Sequence, residues 1–171
     1  MRTFGLIGKS LSHSFSESYF INKFQKEGIT NAEYKKFELS NISEFPDLIK
    51  NNQLSGINVT IPYKESIIPF LDELTPQAKT IGAVNTIQFK GDKLIGHNTD
   101  TIGFLQSISP ILKGRDKALI LGNGGAAKAV KNALKTLNIE HKTVSRNSLF
   151  NYLDINSKII GYYDIIINTH P

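Results

Sequence analysis

Lys117-Ala118-Leu119-Ile120-Leu121-Gly122-Asn123-Gly124-Gly125-Ala126-Ala127 decides the fold of the second half of this chain. The apolar run 117–121 reads as a buried strand, and it opens at once into a turn of glycine and alanine. Residues 128–137 carry a helical pattern, and 141–145 read as the next strand. Strand, glycine turn, helix and strand form one βαβ unit, the repeating piece of a doubly wound nucleotide-binding sheet. Residues 164–168 form another apolar strand, with a short one expected over 158–161 before it. A complete sheet of this kind has about six strands; three or four fit after Lys117, so an incomplete Rossmann-like domain is expected.

Gly122-x-Gly124-x-x-Ala127 matches the dinucleotide fingerprint in its alanine form. The first glycine makes the tight turn and the second lets backbone approach a pyrophosphate. The small third position lets helix and sheet pack closely. Free N–H groups at the helix start then favour an anion. The candidate cofactor residues are Gly122, Asn123, Gly124, Gly125 and Ala126; the alternative is a turn that only reverses the chain. The next strand discriminates between cofactors, because an NAD site usually ends it with an acid that bonds the ribose 2′-hydroxyl. Thr143-Val144-Ser145-Arg146-Asn147 has no acid. It has Arg146, whose planar fork suits a 2′-phosphate, and Ser145 and Asn147 can add hydrogen bonds. This favours NADP; the alternative is a solvated surface arginine.

Working back from this unit, residues 1–101 read as a mixed α/β domain, which leaves 102–171 for the nucleotide domain. Strands are expected over 3–8, 34–39 and 56–61. A helix beginning at Ser14 presents Phe15, Tyr19, Phe20 and Phe24 near one face and stops at Gly28. Ser43 caps a short helix carrying Phe45, Leu48 and Ile49, with Pro46 in its first turn, and 64–71 looks helical after Pro62. Residues 84–89 and 93–97 form a hairpin around Lys90-Gly91-Asp92. Asp100 sits where a helix N-cap belongs, before Ile102, Phe104, Leu105 and Ile108.

Composition narrows the function classes. The chain has 171 residues, 40% of them hydrophobic and 20% charged, which suits a folded domain or two rather than a disordered chain. It has no cysteine, hence no disulfide, no thiolate nucleophile and no cysteine-ligated metal. His13, His97, His141 and His170 lack metal-ligand spacing, so no metal is expected. No apolar run reaches the roughly 20 residues of a membrane span. The net charge of +5 comes from scattered lysines rather than a basic stripe, so a small anionic ligand is expected and nucleic acid is not.

Short segments of the first half are unusually polar. Ser12-His13-Ser14-Phe15-Ser16 places hydroxyls at a strand-to-helix junction, where they suit a carboxylate or phosphate; simple capping by Ser14 is the alternative. Asn58-Val59-Thr60-Ile61-Pro62-Tyr63-Lys64 ends a strand with an amide, a hydroxyl and a lysine. A lysine in a cleft can protonate a developing alkoxide, although most single lysines are simply exposed. Gly82-Ala83-Val84-Asn85-Thr86 places an amide before the hairpin, and Asn98-Thr99-Asp100 an amide, a hydroxyl and a carboxylate after it.

Taken in order with Gly122-Asn123-Gly124-Gly125-Ala126, these motifs resemble the shikimate dehydrogenase family, from Phe4 to about Asn168. The resemblance implies a mixed-sheet substrate domain, a Rossmann-like NADP domain and a cleft between them. It implies reversible NADPH-dependent reduction of 3-dehydroshikimate to shikimate on the route to the aromatic amino acids. Ser14 and Ser16 would hold the substrate carboxylate, and Thr60, Asn85 and Asp100 its ring hydroxyls. Lys64 would be the acid/base with Asp100 as its partner, while Asn58 and Asn98 would mainly shape the site. The glycine turn would carry the pyrophosphate and Arg146 the 2′-phosphate. A monomer or homodimer in the cytoplasm is expected.

The chain departs from the family pattern at Glu17, where many relatives have proline, and at His170. The family's C-terminal part has no counterpart in these residues. That part completes the nucleotide sheet, returns helices to the first domain and supplies a glutamine and a tyrosine to the substrate site. Two other readings follow: a quinate/shikimate dehydrogenase using NAD, and a relative that binds shikimate or NADP without turnover.

Overall fold

The computed structural model describes residues 1–146 and 148–170. Its contacts divide the chain into two compact units, Met1–Asn98 and Thr99–Pro171. The division falls slightly before the boundary expected after residue 101, because Asp100 opens a helix that packs within the second unit.

The first unit contains β1 (Arg2–Gly8), α1 (Ser16–Lys26), β2 (Ala32–Glu38), α2 (Phe45–Asn51), β3 (Leu54–Val59), β4 (Glu73–Leu74), α3 (Pro76–Ile81), β5 (Thr86–Lys90) and β6 (Lys93–His97). They build a six-stranded mixed sheet in the order β2-β1-β3-β5-β6-β4. β1 lies parallel to β2 and β3; β5 runs antiparallel to β3 and β6. Strand alternation sends Ile7, Ile57, Val59 and Ile87 to one face, where they pack with Phe45 and Ile67 into the main core. Each of these six side chains is fully buried, worth roughly 1.5–3 kcal/mol apiece relative to exposure. Phe4, Leu6 and Tyr34 point to the opposite face, under Phe20 and Phe24 of α1.

Several local expectations are corrected here. α1 starts at Ser16, so Phe15 stands outside it and is 84% exposed; Tyr19 is also exposed, and only Phe20 and Phe24 reach the sheet. Asn41, not Ser43, caps the entry to α2. Its extended backbone lets Oδ1 accept from Ser43 N at 3.0 Å, while Glu44 Oε1 accepts from Asn41 N at 2.9 Å. Residues 61–67 form turns and Ile68–Phe70 a 3₁₀ turn instead of a helix, since Pro69 has no N–H for the helical ladder. α3 is a further helix, beyond those expected, with Thr75, Pro76 and Gly82 at its N-cap, first turn and left-handed C-cap.

The second unit contains α4 (Asp100–Ile108), β7 (Lys117–Leu121), α5 (Gly125–Thr136), β8 (Glu140–Val144), α6 (Ser157–Tyr162) and β9 (Ile165–Asn168). β7 is central in a three-stranded parallel sheet, β8-β7-β9. Fully buried Ala127, Ala129 and Ala133 keep α5 close to its neighbours, and Thr101 Oγ1 of α4 donates to Ala129 O at 3.2 Å. Ala118, Ile120, Leu134 and Ile167 form the core with Ile108. The strand expected over 158–161 is the helix α6, because Asn156 accepts from Ile159 N at 3.1 Å and starts a helical turn. Asp100 is the first residue of α4 rather than its cap; Thr99 holds that position. Among the described residues, no helix is long and apolar enough to cross a membrane.

Candidate functional site

In the first unit the polar residues gather where β1 and β3 end and β5 begins. Gly8 closes β1 so tightly against β3 that a Cβ there would come within 2.8 Å of Thr60 Cγ2 and 2.6 Å of Leu11 Cδ2. Thr60 N donates to Ile7 O at 2.9 Å, Val59 N to Asn85 O at 2.8 Å, and Val84 N to Lys64 O at 2.7 Å. These backbone bonds draw Thr60, Lys64 and Asn85 to the same end of the sheet; all three are half-buried. Tyr63 points into the core and donates to Leu39 O at 2.5 Å, which anchors the turn that carries Lys64.

Asn58 and Asn98 are structural ties. Asn58 Oδ1 accepts from the Tyr34 hydroxyl at 2.8 Å, and its Nδ2 donates to Thr86 Oγ1 at 3.2 Å. Asn98, only 3% exposed, donates to Ala83 O at 2.9 Å and so holds the segment before Asn85. Ser14 Oγ accepts from Ser16 N at 3.3 Å, so Ser14 orients the loop leading into α1. Burial pushes the Tyr34 phenol above its ordinary value, with the Ser16 hydroxyl against it pulling the other way. Sequence reasoning misses Tyr34, because an aromatic in a strand reads as core and only its hydroxyl's partner shows otherwise.

In the second unit, β8 lies on one side of β7 and β9 on the other, so the C-terminal end of β7 is the point where the strand order reverses, the usual crevice for a ligand in such sheets. Gly122 stands there with φ +115°, and an added Cβ would collide with the Thr169 hydroxyl. Gly122 N donates to Val144 O at 2.8 Å and Thr169 N to Leu121 O at 2.9 Å, which ties the turn to both neighbouring strands. Gly124 is different. Its φ is −84°, a Cβ there would meet nothing within 4 Å, and it precedes α5 as an N-cap with no side-chain hydrogen bond. The chain's own packing thus gives no reason for the missing side chain, whereas a phosphate approaching the helix start does. The residues present therefore fit a dinucleotide pyrophosphate.

Ser145 and Arg146 follow β8 directly, level with Gly122, and Arg146 is exposed. Asn147 lies outside the described residues. The Asn123 carboxamide accepts from Lys131 Nζ at 2.7 Å, which adds a cation to the turn that the motif alone does not reveal. Its signal lies in the spacing of Lys128, Lys131 and Lys135 along α5. Burial, and then the charges of Lys128 and Lys135, hold the Lys131 ammonium below the usual lysine range. His170 reaches the same turn and hydrogen-bonds the Tyr152 hydroxyl.

The chain is similar to known proteins along its whole length. The family described as shikimate dehydrogenase substrate binding domain matches residues 6–87. A shikimate dehydrogenase (NADP(+)) of Clostridium botulinum is 41% identical over all of this chain and 72% of its own. Shikimate dehydrogenase 1 from Peptoclostridium difficile superimposes with a TM-score of 0.86 at 37% identity, covering all of this chain and 67% of that one. Shikimate 5-dehydrogenase from Thermus thermophilus, solved in complex with NADP(H) and shikimate, superimposes with a TM-score of 0.79 at 27% identity, over 99% of this chain and 69% of that one.

Proposed function

Since this chain belongs to the shikimate dehydrogenase family, we propose that it interconverts 3-dehydroshikimate and shikimate with NADP as the redox partner. The observation that supports this most is the presence of two polar ends, one in each unit. One carries Thr60, Lys64 and Asn85 on backbone bonded together; the other is a glycine turn with an unexplained empty position at Gly124.

In this reading Ser14 and Ser16 hold the substrate carboxylate, and Thr60 and Asn85 bond its ring hydroxyls. Lys64 gives a proton to the carbonyl oxygen during reduction and takes it back during oxidation. Asp100, the first residue of α4, bonds a ring hydroxyl of the substrate. Gly122, Asn123, Gly124, Gly125 and Ala126 hold the pyrophosphate, with Lys131 steadying Asn123. Ser145 and Arg146, with Asn147, take the 2′-phosphate. When bound, NADPH supplies the hydride.

The test is shikimate oxidation followed by NADPH absorbance, run in parallel with NAD and with quinate. Turnover that prefers NADP and shikimate is expected. Turnover only with NAD, or of quinate over shikimate, would replace this reading with the quinate/shikimate one. Binding of both ligands without turnover would leave a binding protein.

A further inference from the structure

α5 carries a cation that the described residues do not neutralise. Lys131 follows Ala127 by four positions, one turn further along the same side of the helix. Side chains lean toward the N-terminus of a helix, so a lysine here reaches back to the glycine turn. Its ammonium lies 2.7 Å from Asn123 Oδ1. An ammonium has three protons and no lone pair. One proton goes to Asn123, a neutral acceptor, and among the described residues Asn123 is the one polar partner of Lys131. Lys23, Lys35, Lys36 and Lys93 each have a glutamate oxygen at 2.5–3.7 Å. Lys131 is half-buried, and the charges that act on it are the like charges of Lys128 and Lys135. Such a group is costly to keep charged until an anion joins it.

We propose that Lys131 binds the cofactor directly, as the counter-ion of one of its phosphate groups. This rests on the reading of the glycine turn as the dinucleotide site. Gly124, next to Asn123, leaves a space that the chain does not fill, and α5 begins there without a side-chain cap. Asn123 is exposed, and its bond to Lys131 holds the ammonium at the turn. A phosphate seated at the turn takes the protons that Asn123 leaves over. The diphosphate is the expected partner, because Asn123 is part of the turn, whereas Arg146 stands past the end of β8. The two cations then divide the cofactor. Lys131 takes the group common to NADP and NAD, and Arg146 the group that distinguishes them.

Lys131→Met keeps most of the aliphatic stem and removes the charge. Calorimetric titration should show NADP and NAD both weakened about 10-fold, the value of one charge-assisted hydrogen bond, and Lys131→Arg should recover most of the loss. A loss confined to NADP would keep Lys131 as a phosphate ligand and move it to the 2′-phosphate. Unchanged affinity for both cofactors would overturn the proposal. In an Asn123→Ala background, Lys131→Met should still weaken NADP at least about 3-fold. No further loss there would overturn direct contact, since Lys131 would then act only through Asn123. Urea midpoints separate binding from folding. The Lys131→Met midpoint should not fall, because the charge it removes stands among like charges. Weaker binding that only tracks a lower midpoint would make Lys131 structural and overturn the proposal. A parent chain that binds NADP but oxidises no shikimate would end the enzymatic reading, and the same titrations would still decide Lys131. A parent that binds neither dinucleotide would overturn both.

Discussion

In the first unit the candidate site is made of side chains that hold one another. Tyr34 fixes Asn58, Asn58 meets Thr86, Thr86 meets Asn85, and Asn98 anchors the segment before them. In the second unit it is made largely of side chains left out. Gly122 turns where no other residue fits, Gly124 leaves a space that the chain does not fill, and α5 begins without a side-chain cap. A hydroxylated ring needs directed donors and acceptors, which side chains supply. A pyrophosphate needs close approach to backbone N–H groups, which side chains obstruct. The two regions should therefore fail in opposite ways, the first when groups are removed and the second when they are added.

The largest effect is expected at Lys64. Lys64→Ala should lower the turnover rate by roughly 10²–10⁴, the range for loss of an acid/base group, with little change in NADP affinity. Equal rates in mutant and parent would remove Lys64 from the chemistry. Next come the glycines. Gly122→Ala should destabilise the fold by roughly 2–4 kcal/mol, read from urea midpoints, because it adds a strained φ to a collision with Thr169. Gly124→Ala should leave stability within about 0.5 kcal/mol yet weaken NADP at least about 10-fold. Unchanged NADP binding by that variant would break the comparison, since the open position would then not be a cradle.

Arg146→Ala sharpens the cofactor side. It should weaken NADP about 10- to 100-fold and NAD less than about 3-fold, the difference being the charge-assisted bonds to one phosphate. Equal losses for both cofactors would end its role as the 2′-phosphate reader.

The smallest effect concerns Tyr34 and alkaline pH. Burial raises its folded-state value above the ordinary 10.0, so as pH rises past that point the unfolded phenol releases its proton while the folded one keeps it. The unfolded state then binds fewer protons, and stability falls with rising pH. Urea midpoints at about pH 9 and about pH 11 should fall less steeply for Tyr34→Phe than for the parent. Some slope should remain, because the Tyr63, Tyr162 and Tyr163 phenols are also raised. An identical slope in mutant and parent would mean that Tyr34 is not held as described.

Much of this is legible in the chain. The strand Lys117–Leu121 begins and ends where its apolar run does, and the glycine turn enters a helix as the fingerprint requires. Expectation and structure part where two local signals compete. Ile159 and Ile160 favour a strand, but Asn156 upstream starts a helix. Residues 64–71 show helical spacing, but Pro69 interrupts the ladder. Asp100 has capping chemistry, but Thr99 already occupies the capping position.

Neighbouring residues alone settle most of the strands, helices and turns, and which motifs carry chemistry, because those signals lie within a few positions of one another. It takes the folded sheets to place β1 between β2 and β3, and β7 between β8 and β9. Folding also turns Tyr34 from a core aromatic into a hydrogen-bond donor to Asn58, across a separation of 24 residues, and links Asn58 to Thr86 across 28. The direction of a hydrogen bond is set by what the partner can give or accept, and those partners meet only when the sheet has formed.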